Sequence, residues 1–377
     1  MKLAFGDFSG WDFHAASVAS SPLGGSHSAA CYLAQELARA GHEVYFFSHT
    51  TAPGLHAGVH CRAWSATPPE TLRALGLEVF ICILSPGQGV LLRQILGPAT
   101  RLILWNQHRC DQPAIQPLRD PVERGSYDGF VFVSEWQRQE FLTHFAVPPE
   151  RSTVLGNAIA PAFQSLFPPA APILPQKAAP PLLAYTSTPF RGLDLLLAAF
   201  PALRAAVPGL RLRVFSSMQV YRVPERADQA EYGPLYERCR ATPGVEYIGS
   251  LPQAALAREL QAVTVFAYPN SFPETSCIAL LEALASGCRV ITSALGALPE
   301  TAAGYARLIA VERSREEYLH AFIAATVEVL HESLRGGPTL ETALRRQVEH
   351  FTTHATWSQR AAAWMAWLRT PGAARRA

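Results

Sequence analysis

Short apolar runs alternate with helical periods along the first half of the chain. Residues 2–5 read as a strand, 26–40 carry a helical spacing of apolar positions after a long loop, and 43–47 read as the returning strand. Further apolar runs at 78–84, 101–105, 129–133 and 153–155, with a helical period over 135–145, extend this βαβ opening into a parallel, doubly wound α/β sheet. Six prolines then stand among alanines between Phe167 and Pro181. Proline fixes φ and removes a donor, so neither regular element suits this stretch, and it predicts a linker.

A second series follows, with strands predicted at 182–186, 210–215, 245–248, 263–267 and 289–292 and helices at 192–207, 253–262 and 276–285. The expected organisation is a first Rossmann-like domain over 1–167, a Pro/Ala-rich linker over 168–181 and a second Rossmann-like domain over 182–354. The last hundred residues are helical by period, and a terminal helix is expected over 355–377, ending near Thr370-Pro371. Its Trp357, Trp364 and Trp367 suggest a segment that docks back on the first domain. A cleft between two such domains is the expected place for chemistry.

Composition narrows the picture. With 49% apolar and 16% charged residues in 377, both halves can bury a core. Basic and acidic residues, 32 and 30, are mixed along the chain for a net charge of +2, which gives no footprint for nucleic acid. Gly6-Asp7 interrupts the apolar start and no apolar run approaches a membrane span, so a cytoplasmic protein is expected. The seven cysteines lack C-x-x-C spacing and read as reduced, buried small hydrophobes, and the twelve histidines do not fall at ligand spacings beside them, which disfavours zinc. No Asp-x-Asp pair occurs that would chelate a metal-diphosphate.

The most informative stretch runs from Tyr268 to Gly287: a strand ends, a loop carries Glu274, and a helix begins with Ser276 as its expected N-cap and Gly287 as its C′ glycine. The N–H groups of Ser276, Cys277 and Ile278 and the helix dipole would suit a diphosphate. Glu282 is expected two turns down, beside the small Thr275, Ala279 and Ser286, while Cys277, Leu280, Leu281 and Leu284 supply core. Two carboxylates so placed can accept hydrogen bonds from two sets of hydroxyls. They can equally be a solvated helix residue and a loop acid steadying a helix start, and the residues alone leave both readings open.

Glu274, seven residues, Glu282, then Ala-Leu-Ala-Ser-Gly-Cys-Arg-Val-Ile-Thr-Ser and Gly296-Ala-Leu-Pro-Glu300 closely resemble the signature of retaining glycosyltransferase family 4, enzymes of the GT-B fold. The likeness covers nearly the whole chain. Leu23-Gly-Gly-Ser-His27, Gly41-His-Glu-Val, Phe132-Val-Ser-Glu-Trp and Val154-Leu-Gly-Asn-Ala-Ile resemble motifs of the family's first domain. Thr188-Pro-Phe-Arg191-Gly192 resembles its phosphate-binding turn, and Gly244-Val-Glu-Tyr-Ile248-Gly-Ser-Leu resembles the loop that lines the nucleobase.

The resemblance implies two Rossmann-like parallel-sheet domains and transfer of a sugar, with retention and without metal, from a nucleotide-diphosphate donor held by the second domain. Arg191-Gly192 and the 276–278 amides would hold the diphosphate, Ile248 the base and Glu282 the ribose. Glu274, with Thr275 and Ser276, would hold the transferred sugar. His108, after an apolar strand, would contact that sugar near the reacting carbon, though a satisfied structural histidine fits the same place. Gly24 and Gly25 would admit a ligand to the backbone, or serve a tight turn. Arg109 and Gln112 are candidates for acceptor contact.

Three departures stand out. Thr186 occupies the place of a second arginine frequent in the family, His27 that of a frequent acid, and Thr275-Ser276-Cys277 that of a glycine-containing run. The expected partners are the donor and a carbohydrate or lipid-linked acceptor, with no cofactor. Peripheral membrane contact by the terminal helix weighs less than docking. Gly87-Gln-Gly89-Val-Leu-Leu92 lacks the third glycine of a dinucleotide fingerprint, which argues against NAD. With only Lys2 and Lys177, a Schiff-base phosphorylase is excluded. A non-catalytic sugar-nucleotide-binding module, or a related epimerase, remains the alternative.

Overall fold

The computed structural model describes residues 1–168, 171–311 and 314–370. The chain divides into two compact units. The first comprises Met1–Ser20, Gly25–Asn157 and the segment from Trp357 onward; the second comprises Ser21–Gly24 and Ala158–Thr356.

The first unit is built on an eight-stranded sheet of order β3-β4-β2-β1-β5-β6-β7-β8. Its strands are β1 (Lys2–Asp7), β2 (Glu43–Ser48), β3 (Gly54–His56), β4 (Val59–Ala63), β5 (Val79–Ile83), β6 (Arg101–Trp105), β7 (Gly129–Phe132) and β8 (Ser152–Val154). All neighbours are parallel except β3 and β4. Every residue of β5 is buried, as a central parallel strand covered on both faces requires, and this is why it reads as an unbroken apolar run. The edge strand β3 and its neighbour β4 were not foreseen, because β3 is mostly exposed and β4 alternates buried and solvated positions.

The second unit carries a six-stranded, all-parallel sheet of order β11-β10-β9-β12-β13-β14. These are β9 (Leu182–Thr186), β10 (Arg211–Phe215), β11 (Val245–Tyr247), β12 (Val265–Tyr268), β13 (Arg289–Ser293) and β14 (Ala306–Ile309). Chain order reverses between β9 and β12. Such a switch point opens a crevice at the carboxyl ends of the two strands, where the loops diverge to opposite faces.

The Pro/Ala-rich stretch packs on the second unit. Ile173 is buried, its N–H and that of Leu174 donate to the Glu341 carboxylate, and Lys177 Nζ donates to the carbonyls of Gln261 (3.0 Å) and Ser286 (2.7 Å). The change of unit falls at Asn157–Ala158, and residues 169 and 170 of the expected linker lie outside the described residues.

The terminal helix, Trp357–Arg369, belongs to the first unit; the part of the expected helix beyond Thr370 lies outside the described residues. Trp364 meets Trp105 edge-on at 5.2 Å, and the Arg101 guanidinium lies 4.6 Å over Trp367. The aromatics therefore serve packing and a cation–π contact within that unit. All seven cysteines are buried. Among the described residues no helix is long and apolar enough to cross a membrane.

Candidate functional site

Two loops meet at the switch point of the second sheet. The first leaves β9 through Ser187 and Thr188 to Arg191 and Gly192, where the helix Leu193–Ala206 begins. Gly192 has φ +100°, and a Cβ there would lie 2.0 Å from the carbonyl oxygen of Pro269 on the neighbouring loop. This glycine lets the two loops touch. Gly192→Ala is expected to cost about 1–3 kcal/mol of stability, read as a lowered urea midpoint, because both the φ and the contact oppose a side chain.

The second loop leaves β12 and folds back on itself, with the Phe272 N–H donating to Asn270 Oδ1 at 3.0 Å and Ser293 Oγ to the Asn270 carbonyl at 2.5 Å. It delivers Glu274, which is 4% exposed. The Ala297 N–H donates to the Glu274 carbonyl at 2.7 Å. Gly296 permits that approach, since a Cβ there would lie 2.5 Å from the same oxygen. The Gly296-Ala-Leu-Pro-Glu300 motif thus acts as a backbone clamp on Glu274.

Arg191 and Glu274 form an ion pair, Nη1 to Oε1 at 2.6 Å. Arg191 Nη2 also donates to the Tyr221 hydroxyl at 3.1 Å, and the guanidinium lies 4.6 Å over the Phe272 ring. Burial is the largest single influence and opposes its charge, but the Glu274 carboxylate, Tyr221 and Tyr268 together outweigh it and push the Arg191 pKa up. Burial, then the same carboxylate, raises the Tyr268 phenol well above its ordinary value, so the hydroxyl stays protonated and donates to Glu274 Oε1 at 2.7 Å. On the segment that leads from the end of β9 to this pair, Thr186 Oγ1, Thr188 Oγ1 and Arg191 Nε are buried without hydrogen-bond partners. Three orphaned donors within six residues, one of them on a cation, are groups that an oxyanion could satisfy.

The helix after Glu274 is Ile278–Ala285, starting two residues later than expected, with Cys277 rather than Ser276 as N-cap and no side-chain capping hydrogen bond. Ser276 is therefore not the cap: it lies one residue before Cys277, and the first-turn amides begin at Ile278. Gly287, φ +64°, closes the helix as anticipated, with N–H bonds from Gly287 to Leu284 and from Cys288 to Ala283. The later start places Glu282 one turn into the helix, not two. The small neighbours that were to leave it open do not do so: Glu282 is 3% exposed and accepts from Gln253 Nε2 at 2.7 Å and the Ala160 N–H at 3.4 Å.

Burial pushes the Glu282 pKa up to about 8, against the weaker pull of the Ala160 and Gln253 hydrogen bonds. A carboxyl raised by folding stabilises fully below its unfolded pKa, and that stability is lost as pH rises through the folded value. The wild-type melting midpoint is therefore expected to fall between about pH 5 and pH 8 relative to that of Glu282→Gln and then to run parallel. Curves parallel throughout would contradict this assignment.

The remaining expected residues are dispersed. Ile248 follows β11 and is 38% exposed. Thr275 and Cys277 are buried. Gly24 belongs to the second unit, where its N–H donates to the Val220 carbonyl at 2.7 Å and a Cβ would lie 2.9 Å from the Tyr221 ring. Its close approach is to Tyr221, the residue that also holds Arg191. Gly25 is exposed and begins the helix Gly25–Arg39 of the first unit.

His27, open to a surface reading in the sequence, is buried, 3.1 Å from Asp7 and stacked on Trp11 at 4.0 Å. His108 lies three residues beyond β6. Burial lowers its pKa to about 4, so the ring is neutral at pH 7, and its Nδ1 is buried without a partner. Arg109 Nη1 pairs with Asp111 at 2.7 Å and the Arg109 N–H donates to Gln112 Oε1 at 3.0 Å, so these two side chains shape their own loop. The glycine loop after β5 holds an internal anion: Glu123 accepts from the N–H groups of Gly87 (2.6 Å), Gly89 (2.8 Å) and Val90 (3.1 Å). That cradle is filled by the chain's own carboxylate.

Tyr268 and Tyr221 were missed. Tyr268 ends an apolar strand and reads as core, and Tyr221 lies in a polar stretch with no motif; only their contacts reveal them.

Residues 181–331 match the family described as glycosyl transferases group 1. No curated protein matches the chain by sequence. Among solved structures, sucrose-phosphate synthase from Thermosynechococcus elongatus is similar at 18% identity and a TM-score of 0.72, covering 98% of each chain. WaaG, a glycosyltransferase involved in lipopolysaccharide biosynthesis, is similar at 17% identity and a TM-score of 0.66, covering 98% of this chain and 100% of its own. Anabaena HepE in complex with UDP and glucose is similar at 16% identity and a TM-score of 0.63, over 97% of this chain and 100% of its own. The two parallel-sheet units have the GT-B fold of these glycosyltransferases, and the family match supports glycosyl transfer.

Proposed function

We propose that this chain is a retaining, metal-independent glycosyltransferase of the family 4 type, using a nucleotide-diphosphate sugar as donor. The observation that carries the proposal is the Arg191–Glu274 pair at the switch point, together with the orphaned donors of Thr186, Thr188 and Arg191 on the segment that leads to it. The donor diphosphate would complete those donors and compete with Glu274 for Arg191. Glu274, released on one side and still held by Tyr268, would then accept sugar hydroxyls. HepE and a trehalose-6-phosphate protein from E. coli, bound with UDP-glucose and UDP-2-fluoro glucose respectively, support a nucleotide sugar as the ligand class.

In the transition state the leaving diphosphate gains charge. Arg191, the two threonine hydroxyls and the amides at the start of helix Ile278–Ala285 are preorganised donors for it. Glu274 would steady positive charge on the sugar ring as the acceptor attacks from the leaving-group side. In the first unit, His108 is neutral and has an unused Nδ1 that can accept a hydrogen bond from a ligand hydroxyl. Ile248 would cover the base, and Glu282 would hold the ribose.

The test is a binding screen with uridine-, guanosine- and adenosine-diphosphate sugars, with and without magnesium. One donor is expected to bind equally well in both conditions and to be hydrolysed slowly, and Glu274→Ala should abolish that hydrolysis. Binding only with magnesium would end the metal-free reading, and binding without turnover for any acceptor would favour a non-catalytic module.

A further inference from the structure

We infer that the first unit carries a zinc-class metal site formed by Cys110, Glu140 and His144. The three residues come from two elements. Cys110 stands in the loop beyond β6, while Glu140 and His144 are one turn apart on the helix Glu135–Phe145 and so share a face. Cys110 Sγ lies 3.1 Å from Glu140 Oε2, and His144 Nε2 lies 3.9 Å from the same oxygen. One ligand atom from each residue falls within 4.8 Å of the other two. Tetrahedral coordination with Zn–S, Zn–N and Zn–O bonds of ordinary length places ligand atoms about 3.4–3.6 Å apart. The observed spacings bracket that value.

The chemistry suits a borderline-soft divalent ion. One thiolate, one imidazole and one carboxylate provide three protein ligands of the types zinc accepts, and a fourth position would remain for water. Cys110 is held in place: its carbonyl accepts from Gln116 Nε2 at 3.1 Å, and it shares a core cluster with Phe141 and Phe145. His144 is half-exposed, with 49% side-chain accessibility, so a metal can enter from solvent and the imidazole can turn to close the remaining gap. The thiol now donates to Glu140. Binding replaces that proton with the metal and releases it to solvent, leaving thiolate and carboxylate to share a dication in place of one hydrogen bond.

Sequence spacing did not expose the site because its cysteine and histidine lie 34 positions apart, and its third ligand is an acid. The other six cysteines are also buried, and none joins such a cluster among the described residues, so a thiolate–metal signal can be assigned.

The experiment is titration of Co²⁺ into reduced, untagged, full-length protein, followed by optical absorption. A sulfur-to-cobalt charge-transfer band with tetrahedral d–d bands is expected to saturate at one equivalent and to be displaced by Zn²⁺. Cys110→Ser should remove the charge-transfer band. His144→Ala, at a position exposed enough to spare the fold, should weaken binding at least about tenfold. Absence of the band in the wild type, or a band unchanged in either variant, would overturn the site.

Discussion

Glu274→Gln is expected to lower turnover by about 10²–10³-fold while changing donor affinity only a few-fold. The substitution keeps the shape of the side chain and an oxygen for the Tyr268 hydroxyl, now 2.7 Å away, but removes the charge. If Glu274 steadies positive charge on the sugar, that loss is felt mainly in the transition state, where such stabilisation resides. Single-turnover rates at saturating donor, set beside calorimetric donor affinity, separate the two effects. Glu282→Gln is expected to show the opposite balance, weaker donor binding with a bound complex that still reacts. Equal losses of turnover in both variants would count against dividing the pair into two roles.

Arg191→Ala is expected to lower kcat/KM by about 10²–10³-fold and to lower the melting midpoint as well. The two effects have different causes. Activity falls because the leaving diphosphate loses a preorganised cation. Stability falls because the side chain of Glu274, 4% exposed, loses the guanidinium 2.6 Å away. Removing one partner of a buried ion pair is costly mainly for the charge left behind. Adding Glu274→Gln to Arg191→Ala should therefore restore much of the midpoint while leaving activity absent, a coupling that a double-mutant cycle measures. A midpoint unmoved by Arg191→Ala would show that Glu274 does not depend on that guanidinium for its place in the fold.

Much of the architecture was legible because burial writes itself into strand composition. The spans β6 (Arg101–Trp105) and β9 (Leu182–Thr186) match the apolar runs residue for residue, and helix Glu135–Phe145 matches its period. Boundaries slipped where short-range signals compete. Ser276 is a good capping residue by type, but the extended residue that precedes the helix is Cys277. The positions of Arg191 and Glu274 were legible as well, since each follows a predicted strand and precedes a predicted helix.

Their contacts were not legible. That Gly24 touches Tyr221, that Glu123 fills the glycine loop and that Cys110 faces Glu140 are facts of residues distant in sequence. The state of Glu282 shows the same limit. Its helix face was foreseen as open, but the Ala160 backbone and Gln253 close over it, and that enclosure raises its pKa to about 8.

By itself the sequence determined two parallel α/β sheets and placed one acid and one base at strand ends, because periodicity and strand–loop–helix order are local properties. Tertiary structure alone decided that the acid and base pair with each other, that Tyr268 and Tyr221 hold them, and that glycines 192 and 296 allow the loops to touch. The physical reason is range. Hydrophobic period acts over a few residues, whereas ion pairing, desolvation and close backbone approach depend on which strands the sheet order sets side by side.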